Sequence, residues 1–181
     1  MEYWSDLYVE LSQKITDNLP GIEWCDLWHE QVNYLTDELP FPTPAVFIAL
    51  SLLNADDKGM KGQLCNTQID FYLFYETLSD TYVGSINKDS AINYLKQLTE
   101  IHKLFHATLG DNYWEMRRVD MKREDSGGAG NLYRISFQCM VDDMSATHDF
   151  NEETVTDISI SRGGLPVQSE DVEPSFRIEL Q

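Results

Sequence analysis

Cysteine and positive charge are both scarce in this chain, and each scarcity excludes something. The three cysteines among 181 residues, Cys25, Cys65 and Cys139, are odd in number and widely spaced in apolar surroundings. They read as small buried hydrophobes in a reducing compartment, not as a disulfide framework. No apolar run approaches the ~20 residues that span a bilayer. The opening MEYWSDLYVEL carries acids where a secretory signal would carry Lys or Arg, so the expectation is a soluble protein made in a cytoplasm. Only 13 Lys and Arg face 31 Asp and Glu, a net charge of −18. Phosphates would be repelled along most of such a surface, which argues against a generic nucleic-acid binder. Three uses of the charge remain: a solvated surface, a docking face for basic partners, or a wall past which DNA slides without sticking.

Catalytic signatures are also missing. No Ser or Cys sits in a nucleophile-elbow context, and no carboxylate pair has a readable catalytic spacing. His102 and His106 stand four apart on a helix, but Lys103 occupies the place where a zincin has Glu. They read as partly buried helix histidines. In Trp28-His29-Glu30 the His and the carboxylate are neighbours, and on a strand neighbours point to opposite faces. The SGGAG at 126–130 is flanked by strand patterns, so it reads as a hairpin tip and not a phosphate cradle. An enzyme would have to rely on His29 or His102. The expectation is a non-enzyme with no cofactor and no metal.

What is present is a dense apolar and aromatic stretch. In residues 45–53, AVFIALSLL, almost every side chain is apolar, which predicts a strand covered on both faces. Pro40, Pro42 and Pro44 upstream force an extended entry. The turn NADDKGMKG, residues 54–62, is charged and glycine-bearing, which predicts an exposed, flexible connection. Beyond it Ile69, Phe71, Leu73 and Tyr75 alternate with Asp70, Tyr72, Phe74 and Glu76, a strand with one apolar face and one face of acids and rings. That second face either packs inside the chain or is covered by another subunit.

Around this hairpin the elements follow in order. Trp4, Leu7, Tyr8, Leu11 and Ile15 predict an amphipathic helix over residues 3–17, stopped at Pro20-Gly21. IEWCDLWHEQV predicts a strand over 22–32. A second helix is expected from a cap at Asp89 or Ser90, with Ala91, Leu95, Leu98, Ile101, His102, Phe105 and Leu109 inward and Gly110 as its C′ glycine. Strands over 113–121 and 132–141 flank the glycine-rich tip KREDSGGAGN. Arg117, Arg118, Lys122 and Arg123 form the one basic cluster, with Arg117 and Arg123 on one parity and Arg118 and Lys122 on the other. It is either a solvated strand end or a receiver for another copy's acidic face or tail.

The expected fold is α+β: a mainly antiparallel sheet with two helices packed on it over residues 1–141, plus an extended acidic C-terminal arm over 142–181. From Asp142 onward ten acids meet only Arg162 and Arg177, a net −8, which leaves −10 for the first 141 residues. TVTDISIS and SFRIEL are strand-like islands there, so the arm is expected to order by adding to a sheet or a neighbouring subunit.

In pattern and order the first 141 residues resemble the tail terminator and tail completion (head–tail joining, neck) proteins of tailed bacteriophages. The matching pieces are the opening helix, PTPAVFIAL, QIDFYLFYET, AINYLKQLTEIHKLF, YWEMRRVDM and YRISFQCMV. The resemblance implies a virion structural protein forming a homo-oligomeric ring, usually a hexamer, between tail tube and connector. It would be assembled in the bacterial cytoplasm, touch no membrane, and let DNA pass without specific binding. Head-to-tail contacts in such a ring would fall on Tyr72 and Phe74, on Asp56, Asp57 and Lys58 of the hairpin loop, and on Arg117, Arg118, Lys122 and Arg123. The competing reading is an acidic module, such as an immunity protein, antitoxin or DNA mimic, that sequesters a basic partner.

Overall fold

The computed structural model describes residues 3–34, 41–76, 81–128 and 130–147. Residues 1–147 form one compact unit; the second, 148–181, with both strand-like islands and most of the expected arm, lies outside the described residues.

Helix α1 (Tyr3–Asn18) buries Tyr3, Leu7, Leu11 and Ile15, the stripe that the 3.6-residue period requires. Each aliphatic side chain sealed in this way contributes about 1.5–3 kcal/mol. Strand β1 (Trp24–Leu27) is much shorter than the apolar run around it. The chain turns at Glu30, whose φ is 62°, into a single 3-10 turn over Gln31–Tyr34. Gln31 ties this reversal: its Oε1 accepts the His29 N–H at 2.7 Å, and its Nε2 donates to the Leu27 carbonyl at 2.6 Å. The expected strand over 22–32 is thereby cut to its first part.

Strands β2 (Ala45–Gly59) and β3 (Gly62–Tyr75) form one long hairpin. The stretch 54–59 is no loop, since Asn54 to Asp57 pair with Asn66 to Gln63. The reversal is confined to Met60 and Lys61, with φ of 54° and 66°, the left-handed pair that matches strand twist. Leu53 bulges out between Leu52 and Asn54.

After a one-turn α2 (Lys88–Ala91), helix α3 spans Tyr94–Phe105. The break between them rotates the helix relative to the expected stripe. Tyr94, Leu98, Ile101 and Phe105 face inward, while Leu95 and Leu109 are exposed. The helix ends at His106, and Ala107, not Gly110, takes the left-handed position (φ 58°). Gly110 instead sits where a Cβ would run into Glu10 and the Tyr113 ring. Strands β4 (Trp114–Glu124) and β5 (Asn131–Asp143) complete the sheet, so Asp142 and Asp143, expected to begin the arm, belong to a strand.

The sheet order is β1-β2-β3-β5-β4, antiparallel except for β1 on β2. This is the α+β architecture that the sequence predicts. Helices α1 and α3 cover one face, where Phe71 stacks on Phe105 at 4.5 Å and meets Phe137 edge-on at 5.6 Å. Glu10 of α1 pins the turn before β4 by accepting the Asp111 and Asn112 N–H groups at 2.9 and 2.8 Å.

Candidate functional site

The face away from the helices carries six of the nine predicted contact residues, and the chain covers part of it itself. Val32, Ala45, Phe47, Phe74 and Leu132 form a second buried cluster, with Trp28, Phe41 and Tyr72 at its rim. Trp28 lies flat on Tyr72 with ring centroids 4.1 Å apart and planes 5° from parallel. Phe41 meets Phe47 and Phe74 edge-on. Phe74 is only 1% exposed and so offers no side-chain surface to a neighbouring copy. Its place among the contact residues is corrected: the aromatic face packs inside the chain, beneath the segment that follows β1. Tyr72 remains half-buried, and burial, with Asp70 adding to it, raises its pKa.

Farther along the same face, Arg134 is the hub of a charge cluster. Its guanidinium lies 3.7 Å from Asp70, 3.7 Å from Asp120 and 2.9 Å from Glu124. The last contact is misaligned for a hydrogen bond, so its attraction is ionic. The buried Asp70 also accepts bonds from the Ser136 hydroxyl and from Gln68 Nε2. Strand alternation placed Arg134 on the polar face but gave no sign that three carboxylates from two other strands converge on it.

The basic cluster of β4 is exposed, as expected, but its parity is different. A bulge at Val119 shifts the register, so Arg117 pairs with Gln138 and Lys122 with Arg134 on the open face. Arg118 and Arg123 pair with Phe137 and Tyr133 on the helix side. Thus Arg117 and Lys122 share a face, and Arg118 and Arg123 the other. Arg117 is bridged to Glu115 at 3.0 Å, a solvent-exposed pair worth at most about 1 kcal/mol, and the exposed Lys122 reaches the half-buried Glu124 at 3.2 Å.

Asp56, Asp57 and Lys58 are exposed at the far end of the β2–β3 hairpin. Lys58 reaches Asp142 of β5 at 2.6 Å. Here the sheet has its first free edge: β1 pairs only with residues 45–48, so residues 49–59 of β2 have no strand beyond them among the described residues. Leu52 and Leu53 stand 48% and 45% exposed on it. The second free edge is β4. Its early part is covered by the bridge between Thr108 and Met116 and by His106, whose Nδ1 accepts the Arg118 N–H at 3.1 Å. Among the described residues nothing pairs with residues 119–124 beyond that point, and Val119 and Met121 are exposed. The composition of either strand alone did not show that it lies at an edge, because edge position is a property of strand order.

The histidines do not make a ligand pair. The His102 and His106 rings stand 4.6 Å apart, but the Arg118 N–H occupies Nδ1 of His106 and leaves the proton of the neutral ring on Nε2. His102 Nδ1 is enclosed without a hydrogen-bond partner; burial, and then the nearby Arg118 and His106, lower its pKa. Among the described residues no group of three or more His, Cys, Asp or Glu is placed to hold a metal ion. Burial pushes the Cys25 and Cys139 thiols up to about 12 and raises that of Cys65, so all three free cysteines stay protonated at neutral pH. Among the described residues no helix is long and apolar enough to cross a membrane.

No protein-family model matches the chain, and no curated protein matches it. Among solved structures the chain is similar to one in the virion of a native gene transfer agent (GTA) particle. The identity is 12% and the TM-score 0.48, over 78% of this chain and 98% of that one. A likeness this distant decides neither family nor activity.

Proposed function

We propose that this protein is a non-enzymatic structural component of a phage or phage-like virion, a ring-forming tail terminator or completion protein that joins the tail tube to the connector. The observation that carries this reading is a helix-backed sheet whose element order follows the resemblance and whose two edges, open among the described residues, are differently decorated. A cyclic ring is built from head-to-tail contacts between two unlike surfaces, and two unlike sheet edges supply them. The excess of acids gives the ring a negative surface that keeps passing DNA from adhering. No cofactor enters this function, and the partners are other copies of the chain and the flanking tube and connector proteins.

The test is location. A tagged chain produced in cells that release particles should copurify with them, and gold-labelled antibody should mark the junction of head and tail. A chain absent from purified particles, and recovered instead with a single basic nuclease or toxin, would replace this reading with that of an acidic sequestering module.

A further inference from the structure

The two free edges are not merely both available; their faces and charges select one way of joining them. We infer that residues 119–124 of β4 in one copy pair antiparallel with the distal part of β2 in the next copy, with Asp56 opposite Lys122 and the bulged Lys58 near Asp120. This inference rests on the ring reading above and names the surface that would close it.

The geometry narrows the choice in two steps. Three antiparallel pairings separate β2 from β4, so the two edges run in opposite directions within one chain. Copies related by a modest rotation about one axis keep their strand directions, so the β4 edge of one copy meets the β2 edge of the next antiparallel. The same rotation keeps the helix-covered faces together, and directly paired residues share a face. Asp56 pairs with Leu64 and therefore lies on the open face, as do Asp120 and Lys122, the partners of Ser136 and Arg134. Lys58 is held to the same face by Asp142, the other neighbour of Leu64.

Charge then picks the register. Setting Asp56 against Lys122 brings Ala55 against Arg123 and Asp57 against Met121, with no like charges opposed; Lys58, bulged where the register shifts between Asp57 and Gly59, keeps its ammonium on the open face near Asp120. A slip of two residues, the smallest that keeps the faces matched, opposes Asp56 to Asp120 in one direction. In the other direction it opposes Asp56 to Glu124. Like charges directly across a strand pair destabilise it, and opposite charges stabilise it. Lys58 and Lys122 already bridge to Asp142 and Glu124, but both ammonium groups are exposed, so each can share a further carboxylate at little cost. Backbone hydrogen bonds would then hold the contact along an edge that is otherwise an open invitation to strand addition.

The test is a charge swap in the full chain, read by native mass spectrometry, with thermal unfolding to verify that each variant folds. Asp56→Lys alone opposes two lysines, and Lys122→Glu alone opposes two carboxylates. Each should weaken association roughly tenfold per interface. Mixing the two variants should restore assembly with both alternating, because every contact is then Lys against Glu or Asp against Lys; so should the double variant in one chain. Assembly of both single variants like the wild type, or no rescue on mixing, overturns the inference and leaves the ring reading standing. A wild-type chain that never assembles removes the ring reading itself, and this inference with it.

Discussion

Truncating Trp28 to alanine tests whether the aromatic face of the sheet is closed by the chain itself. The indole lies on Tyr72 at 4.1 Å and approaches Phe47 at 5.9 Å, but is itself only half-buried. Removing a fully buried Trp costs about 3–5 kcal/mol, so a half-buried one forfeits about half of that. Loss of the stacked pair adds roughly 0.5–1.5 kcal/mol. The expected total is about 2–4 kcal/mol, a fall in Tm of roughly 6–12 °C for a unit of this size. Calorimetry reads the fall, and a hydrophobic dye should bind the variant as Phe47 and Tyr72 become wetted. Trp28→Phe should recover part of the loss. An unchanged Tm with no dye binding would mean that the segment after β1 does not seal this face, and would return Tyr72 and its neighbours to the pool of surfaces open to another subunit.

Other consequences follow from single residues. Replacing Arg134 with Met should cost about 3 kcal/mol in urea unfolding, because the buried Asp70 loses its cation while Asp120 and Glu124 stay nearby; equal stability would deny the cluster a structural role. His102 is held below its ordinary 6.5 in the folded chain, so the unfolded chain takes up that proton first. Its contribution is nil above about pH 7.5 and turns against folding as pH falls through 6.5, so His102→Gln should shrink the drop in urea midpoint between about pH 7.5 and 5.5. An identical drop in the variant would contradict this. Glu10→Ala frees the Asp111 and Asn112 N–H groups and should cost about 1–3 kcal/mol, with faster amide exchange confined to that turn. The three cysteines should resist a thiol reagent at pH 8 in the native chain and all react once it is unfolded; rapid native labelling of Cys139 would show that its burial is misjudged.

The fold was readable wherever periodicity met composition. The stripe Leu7, Leu11, Ile15 and the alternation around Phe71 and Ile135 each named an element and its inner face. Failures occurred where a local device overrode the pattern. Gln31 folds the chain back and ends β1 early, a reversal that no apolar count can reveal. NADDKGMKG has loop composition, yet its first half is held in the ladder by β3, and only Met60 and Lys61 make the turn. One bulge at Val119 exchanged the faces of half the basic cluster. Of the predicted contact residues, the hairpin acids and the β4 bases are exposed as expected, whereas Phe74 is consumed by an aromatic lid contributed from a distant stretch of chain. The edges themselves became visible only with the strand order, which depends on long-range pairing.

The account stands or falls on assembly. Native mass spectrometry of the full chain at micromolar concentration should show a single closed oligomer, about six times the 20.9 kDa of one copy, with few species between it and the monomer. A monomer that persists across that concentration range, or an open ladder of sizes without a closed species, would contradict it.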